Sequence, residues 1–107
     1  MEARPRVLRE YETLGATSPF SDWIGGLRDQ RGRGIIRNRL NRIQQGNFGS
    51  CEPVGEGVHE LKIDFGPGYR VYFGVDGDQV ILLGGGDKSS QAANIATAKQ
   101  RWRDYSA

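Results

Sequence analysis

The chain has almost no metal-binding or disulfide-forming residues: its 107 residues include one cysteine, Cys51, and one histidine, His59. One cysteine cannot form an internal disulfide, and these two residues cannot supply the four ligands of a structural zinc ion. No apolar run approaches the roughly 18 residues that span a membrane, and no signal peptide is visible at the start. We therefore expect a cytoplasmic protein without a metal or cofactor.

The length suits one domain, since two separate cores would not fit. We expect a single domain over residues 1–107, with flexible ends at 1–6 and 104–107. The net charge is only +2, but six arginines and a single acid, Asp29, lie between Arg28 and Arg42. Such a cluster suits a polyanion or an acidic protein partner, although a solvated helix face would look the same.

The first half of the chain predicts a strand followed by two helices. Residues 7–13 suit a short strand, and Ser18-Pro19 suits the start of a helix. A second helix is predicted from about Arg31 to Gln45, ending at Gly46. Each predicted helix carries one apolar stripe: Phe20, Trp23, Ile24 and Leu27 in the first, and Ile36, Leu40 and Ile43 in the second.

The second half predicts three strands and a last helix. Residues 58–65 alternate between apolar and polar, residues 69–75 follow a Gly-Pro-Gly turn, and Asp76-Gly77 precedes an apolar strand over 79–83. Gly84 to Lys88 would end the sheet, and Ser89 or Ser90 would begin a helix whose inner side holds Ala92, Ile95, Ala96 and Trp102. The predicted order is β-α-α-β-β-β-α, an α+β fold with the helices packed on one sheet face.

One face of the predicted hairpin carries chemically useful groups. If Leu61, Ile63, Val71 and Phe73 face the core, the opposite face presents Glu60, Lys62, Arg70 and Tyr72. Cleavage of RNA by its own 2′-hydroxyl needs a base, cations for the charged phosphorane and an acid, and it needs no metal. An exposed sheet face of mixed charge is the alternative interpretation.

Other residues give weaker signals. The glycines 84–86 could form a phosphate-binding turn before Lys88 and Ser89, or only a tight turn from strand to helix. The spacing of a P-loop is missing. We expect His59 to pack beside Leu61 and Ile63, Cys51 to be a small packed residue, and Trp23 and Trp102 to dock their helices.

Three stretches resemble a known family when taken together. They are Phe20 to Asp29 with the arginine-rich helix and Gly46-Asn47-Phe48-Gly49, then Pro53 to Phe73, then Leu82 to Gln91. The combination of Gly-Pro-Gly-Tyr-Arg-Val-Tyr-Phe with Gly-Gly-Asp-Lys-Ser resembles the RelE/ParE toxin superfamily, in particular its HigB-like addiction-module killer proteins. The resemblance covers roughly residues 7–103.

This resemblance implies a RelE-like fold and the toxin half of a type II toxin–antitoxin system. It implies a helix-turn-helix antitoxin as partner and cleavage of mRNA, often on the ribosome. Arg70 matches the arginine that stabilises the phosphate in RelE-like enzymes, while Lys62 and Lys88 match two further basic positions approximately. We also expect Arg37, Arg39, Arg42 and Ser89 to contact RNA.

The sequence departs from the family in its C-terminal segment. Several RelE-like nucleases carry a tyrosine or histidine there as acid or base, whereas residues 91–94 offer neither. Glu60 and Tyr72 are the remaining candidates for the base. Two other functions stay open: a ParE-like toxin that inhibits gyrase without catalysis, and a non-toxic binding module.

Overall fold

A computed structural model describes residues 3–107. The elements in chain order are β1 (Val7–Glu10), α1 (Pro19–Gly26), α2 (Gln30–Gln44), β2 (Cys51–Gly55), β3 (Val58–Ile63), β4 (Tyr69–Asp76), β5 (Gln79–Asp87) and α3 (Gln91–Ser106). A short 3₁₀ turn, Lys88–Ser90, joins β5 to α3.

The five strands form one mixed sheet in the order β1-β5-β4-β3-β2. The strand β1 runs parallel to β5, and the other neighbours are antiparallel. A parallel pair needs a long crossover, which α1 and α2 provide. The predicted α+β class is therefore confirmed.

The sequence missed the edge strand β2. This strand contains Pro53 and pairs with β3 through Cys51 and Pro53, with an irregularity before Gly55. Proline has no amide hydrogen to donate and is tolerated mainly on edge strands. Pro53 and Gly55 are also common turn residues, so the local pattern resembles a loop.

The predicted helix starts and stops are confirmed within one residue. The Ser18 side chain accepts a hydrogen bond from the Ser21 amide, and Pro19 occupies the first helical position. After α2, Gly46 adopts a φ of +89°, the left-handed conformation that glycine accepts without strain.

The helices cover both faces of the sheet, so the prediction of helices on one face is wrong. The first face packs against α1 and α2, while Val58, Ile81 and Leu83 on the second face pack with Ala98 of α3. Residues 80–83 of β5 are all buried. Because neighbouring residues of a strand point to opposite faces, both sides of β5 need an apolar cover.

The predicted end of the last strand at Leu83 is also wrong, because β5 continues to Asp87. The glycines of this added segment let helices approach the strand closely. A Cβ atom on Gly85 would lie 2.3 Å from the Trp23 ring, and one on Gly86 would lie 2.1 Å from Oδ1 of Asn94. The glycine run is thus a packing surface inside a strand rather than a phosphate-binding turn.

The inner side of α3 differs from the prediction. Ala92 and Ala96 are exposed, and Ala98 is buried with Ile95 and Trp102 packed beside it. The predicted start holds in position, since Ser90 precedes the helix, although its side chain makes no capping hydrogen bond.

Both predicted flexible ends make contacts where the structure describes them. Arg6 is 7% exposed and its amide donates to the Gln44 carbonyl at 2.9 Å, while Asp104 accepts from the Tyr11 hydroxyl at 2.7 Å. Residues 1 and 2 lie outside the described residues. None of the helices in residues 3–107 has the length and the apolar composition of a membrane-spanning segment.

Candidate functional site

A cleft of about 490 Å³ lies beside the turn between β3 and β4. Four cationic side chains from α2, β3, β4 and the 3₁₀ turn line it, together with one carboxylate: Arg39, Lys62, Arg70, Lys88 and Asp64. Ser50 and the glycine–proline turn complete the lining. We call this the basic cleft.

The sheet register brings three of these cations together. Lys62 and Arg70 are direct partners across β3 and β4, so their Cβ atoms lie about 5 Å apart on one face. Arg70 is in turn opposite Gly86 of β5, two residues before Lys88. Gly68 adopts a φ of +81°, and a Cβ there would lie 3.5 Å from that of Lys88.

The Arg70 guanidinium is held by the turn that forms the cleft. Its Nη1 donates to the Gly68 carbonyl at 3.1 Å and to the Tyr69 carbonyl at 3.2 Å. The side chain is only 12% exposed. Its charge therefore has little contact with solvent but lies at the cleft, where an anion would gain most from it.

Arg39 enters the cleft from α2. Its Nη1 donates to the Lys62 carbonyl at 3.0 Å, whereas Nη2 is buried and has no hydrogen-bond partner within residues 3–107. Burial, and then the nearby charge of Arg42, lower the pKa of Arg39. Since buried donors without a partner are costly, an anion in the cleft would stabilise this arrangement.

The two lysines are available for a ligand. Lys62 Nζ lies 3.0 Å from Oε1 of Glu52, in a pair whose side chains are 35% and 63% exposed. Exposed pairs of this kind contribute little, so a phosphate can replace Glu52 as the partner. Lys88 is exposed on the 3₁₀ turn.

Glu60 and Tyr72 lie behind the cleft rather than in it. Each is 1% exposed, and the Tyr72 hydroxyl donates to Glu60 Oε2 at 3.0 Å. Burial, reinforced by this hydrogen bond, raises the pKa of Tyr72 well above the usual 10.0, so the phenol stays neutral. A general base must reach the proton it removes, and these two groups are covered.

Asp64 is the carboxylate that lines the cleft, and the sequence had not selected it. Asp64 lies two residues after Lys62, so the apolar–polar alternation of residues 58–65 already places both on the same side. Ser50 lies in the loop before β2 and carried no signal.

The four residues predicted to bind RNA do not all lie at the basic cleft. Arg39 lines the cleft, and Arg42 is exposed beside it. Arg37 instead lines a different groove, which includes Leu8, Phe20 and Leu40. The Ser89 hydroxyl is occupied by a hydrogen bond to the Asp87 carboxylate.

The residues expected to be structural are packed as predicted. His59 stacks on Phe73 at 5.3 Å, and burial lowers the pKa of this histidine. Burial likewise raises the pKa of the half-buried Cys51 thiol. Trp23 and Trp102 lie against glycines 85 and 74 of the sheet.

No family model matches the chain. An uncharacterized protein of Haemophilus influenzae is 46% identical over 87 residues, which cover 80% of this chain and 88% of that protein. The chain belongs to the family of this Haemophilus protein. The name of the Haemophilus protein assigns no activity to the family.

Proposed function

We propose that the protein is a HigB-like toxin of the RelE/ParE superfamily that cleaves mRNA in the basic cleft. The observation that carries the proposal is the convergence of Arg39, Lys62, Arg70 and Lys88 from four separate elements. The β-α-α order before an antiparallel meander agrees with the RelE-like fold that the sequence resemblance implies. Because the proposed substrate is mRNA, we also propose that the protein is cytoplasmic.

The reaction is an internal transesterification. A base removes the proton of a ribose 2′-hydroxyl, and the 2′-oxygen attacks the adjacent phosphorus. The bond to the 5′-oxygen then breaks, and that oxygen takes up a proton. The fragments end in a 2′,3′-cyclic phosphate and a 5′-hydroxyl.

Arg70 suits stabilisation of the phosphorane, because Nη1 of its guanidinium is already held by two carbonyl groups. Such a group needs no reorganisation when charge develops on the phosphate. Arg39 and Lys88 would hold the phosphate from either side of the cleft. Asp64 is the proposed base, and Lys62 is the proposed acid for the leaving oxygen.

The proposal includes an antitoxin partner that covers the toxin. The helix α2 contains no acidic residue and exposes Arg31, Arg37 and Arg42. An acidic segment of an antitoxin would complement this surface. An antitoxin that also covered the basic cleft would exclude RNA from it.

Transcript mapping after a brief pulse of expression tests the nuclease proposal. We expect new mRNA 5′ ends with the natural sequence and none with Arg70→Ala, since loss of one such donor costs about 100-fold or more. Lys88→Ala is the second variant, because Lys88 is exposed and its loss should leave the fold intact. Arg37→Ala, outside the cleft, is the matched control and should keep the ends.

Three results would contradict the proposal in different ways. New ends that persist in folded Arg70→Ala and Lys88→Ala would exclude the cleft as the site. Growth arrest with DNA breaks and without new ends would favour gyrase as the target. Unaffected growth would leave a non-toxic binding module.

A further inference from the structure

A buried carboxylate lies directly behind the basic cleft. Glu60 of β3 is 1% exposed, and its Oε2 accepts hydrogen bonds from Tyr72 of β4 at 3.0 Å and from Nε2 of Gln91 at 2.9 Å. Gln91 is the first residue of α3. One oxygen atom therefore ties together two strands and the helix that covers them.

The other oxygen of Glu60 faces Arg70. Oε1 lies 4.0 Å from Arg70 Nε, which is buried and has no hydrogen-bond partner in the described part of the chain. The Nη1 group is already held by the turn carbonyls. This arrangement leaves Nη2 as the donor available to a ligand in the cleft.

A charged group at this position is costly for the fold alone. A buried carboxylate carries a large desolvation penalty, and a neutral side chain of similar size would fill the same space at lower cost. Within residues 3–107, the cationic group at ion-pair distance from Glu60 is Arg70, whereas Tyr72 and Gln91 are neutral donors. The charge therefore acts on Arg70.

We infer that Glu60 is a positioning residue that fixes the plane of the Arg70 guanidinium, with Tyr72 and Gln91 holding the carboxylate in place. Its catalytic consequence rests on the proposed nuclease function. Glu60 itself touches no substrate. Without its charge, the guanidinium is held only at Nη1 by the two turn carbonyls, so it can pivot about that atom and meet the phosphorane in the wrong orientation.

Glu60→Gln tests this inference because it removes the charge and keeps the size. With the RNA substrate identified by transcript mapping, we expect kcat to fall about 10- to 100-fold while KM changes little, since misplacement acts on the transition state. Glu60→Asp, which restores the charge one methylene short, should recover part of kcat. Glu56→Gln, an exposed carboxylate paired with Arg103, is the matched control and should leave kcat unchanged.

A second readout does not depend on nuclease activity. Nitrogen-15 NMR resolves arginine Nε–H groups, and Arg70→Lys identifies the Arg70 signal. We expect slow hydrogen exchange at this group in the natural protein and exchange at least about tenfold faster in Glu60→Gln.

The two readouts separate the two proposals. If the natural protein cleaves no RNA but Arg70 exchange accelerates in Glu60→Gln, the nuclease proposal fails and the positioning of Arg70 by Glu60 stands. Unchanged Arg70 exchange overturns the positioning role. So does an unchanged kcat in folded Glu60→Gln, or a fall in kcat that follows only the loss of thermal stability.

Discussion

The two faces of the same five-stranded sheet differ in chemistry. On the face toward α1 and α2, the core consists of apolar and aromatic residues, including Phe20, Ile36, Leu61 and Phe73. On the face toward α3, an apolar half around Leu83 and Ala98 adjoins a polar half built from Glu60, Lys62, Arg70 and Tyr72. The first face contributes mainly to stability. The second face contributes to stability in its apolar half and lines the basic cleft in its polar half.

The position of α3 explains this division. The helix begins at Gln91, which binds Glu60, and continues over Gly74 and Gly57 through Trp102. It contributes no residue to the lining of the basic cleft. The end of the β3–β4 hairpin is therefore left open to a ligand, while the buried carboxylate behind it remains covered.

The largest expected effect lies on the apolar face. Phe73 is 0% exposed and stacks on Phe48 at 5.7 Å. Phe73→Ala should lower the free energy of unfolding by about 4 kcal/mol, because it removes buried ring area and leaves a cavity. Denaturant unfolding measures this change, with the exposed Leu14→Ala as a control that shifts it by less than about 0.5 kcal/mol. A loss below about 1 kcal/mol would contradict the description of this face.

An added methyl group on the same face should also destabilise the fold. Gly85→Ala would place a Cβ atom 2.3 Å from the Trp23 ring, so α1 or the strand must shift. We expect a loss of about 2 kcal/mol in the same unfolding measurement. Gly25→Ala, where the new Cβ meets nothing within 4 Å, is the control and should not destabilise. Equal effects at both positions would refute close approach as the reason for the glycine.

On the polar face, Tyr72→Phe should lower the free energy of unfolding by about 1 kcal/mol at pH 7, because Glu60 loses one of its two hydrogen-bond donors. Burial raises the pKa of Tyr72 above the unfolded value of 10.0. The folded state therefore binds the phenolic proton more tightly, and the contribution of Tyr72 to stability is present below pH 10 and lost as the pH rises above it.

Unfolding between pH 8 and pH 11 measures this dependence. The natural protein should lose stability more steeply above pH 10 than Tyr72→Phe, so the gap between them narrows. The other tyrosines with raised pKa values are present in both proteins and cancel in the difference. Parallel curves would show that the Tyr72 hydroxyl is not buried against Glu60.

The smallest expected effect concerns RNA binding, and it distinguishes the basic cleft from the arginines outside it. Lys88→Ala should make the plot of log binding constant against log salt concentration less steep, by the slope expected for about one phosphate contact. Arg37→Ala should leave this slope unchanged. Fluorescence anisotropy over a salt series gives both slopes. If Arg37→Ala lowers the slope as much as Lys88→Ala does, RNA contacts a wider surface than the cleft.

The alternation of apolar and polar residues predicts which side of the sheet each strand residue faces, but not how deeply it is buried. Glu60, Lys62, Arg70 and Tyr72 share a face as predicted, since strand residues alternate with period two. Glu60 and Tyr72 are nevertheless buried because α3 packs on that face, and such packing depends on contacts distant in sequence. The same limit hid the role of Gly85 and Gly86, whose helix partners are Trp23 and Asn94.

The arginine cluster illustrates a second limit. Arg37 and Arg39 are two positions apart on α2 and therefore point to different sides of the helix. Only Arg39 enters the basic cleft, which the charge pattern alone did not distinguish. The RelE-like identity and the toxin function remain predictions from the resemblance.

The terminal groups of the RNA fragments show whether the basic cleft cleaves RNA through the 2′-hydroxyl. Fragments produced by the natural protein, and absent with Arg70→Ala, would be examined for their terminal groups. We expect a 2′,3′-cyclic phosphate and a 5′-hydroxyl, with cleavage abolished by a 2′-deoxy sugar at the cleaved position. A 3′-hydroxyl with a 5′-phosphate, or cleavage that tolerates the deoxy sugar, would contradict it.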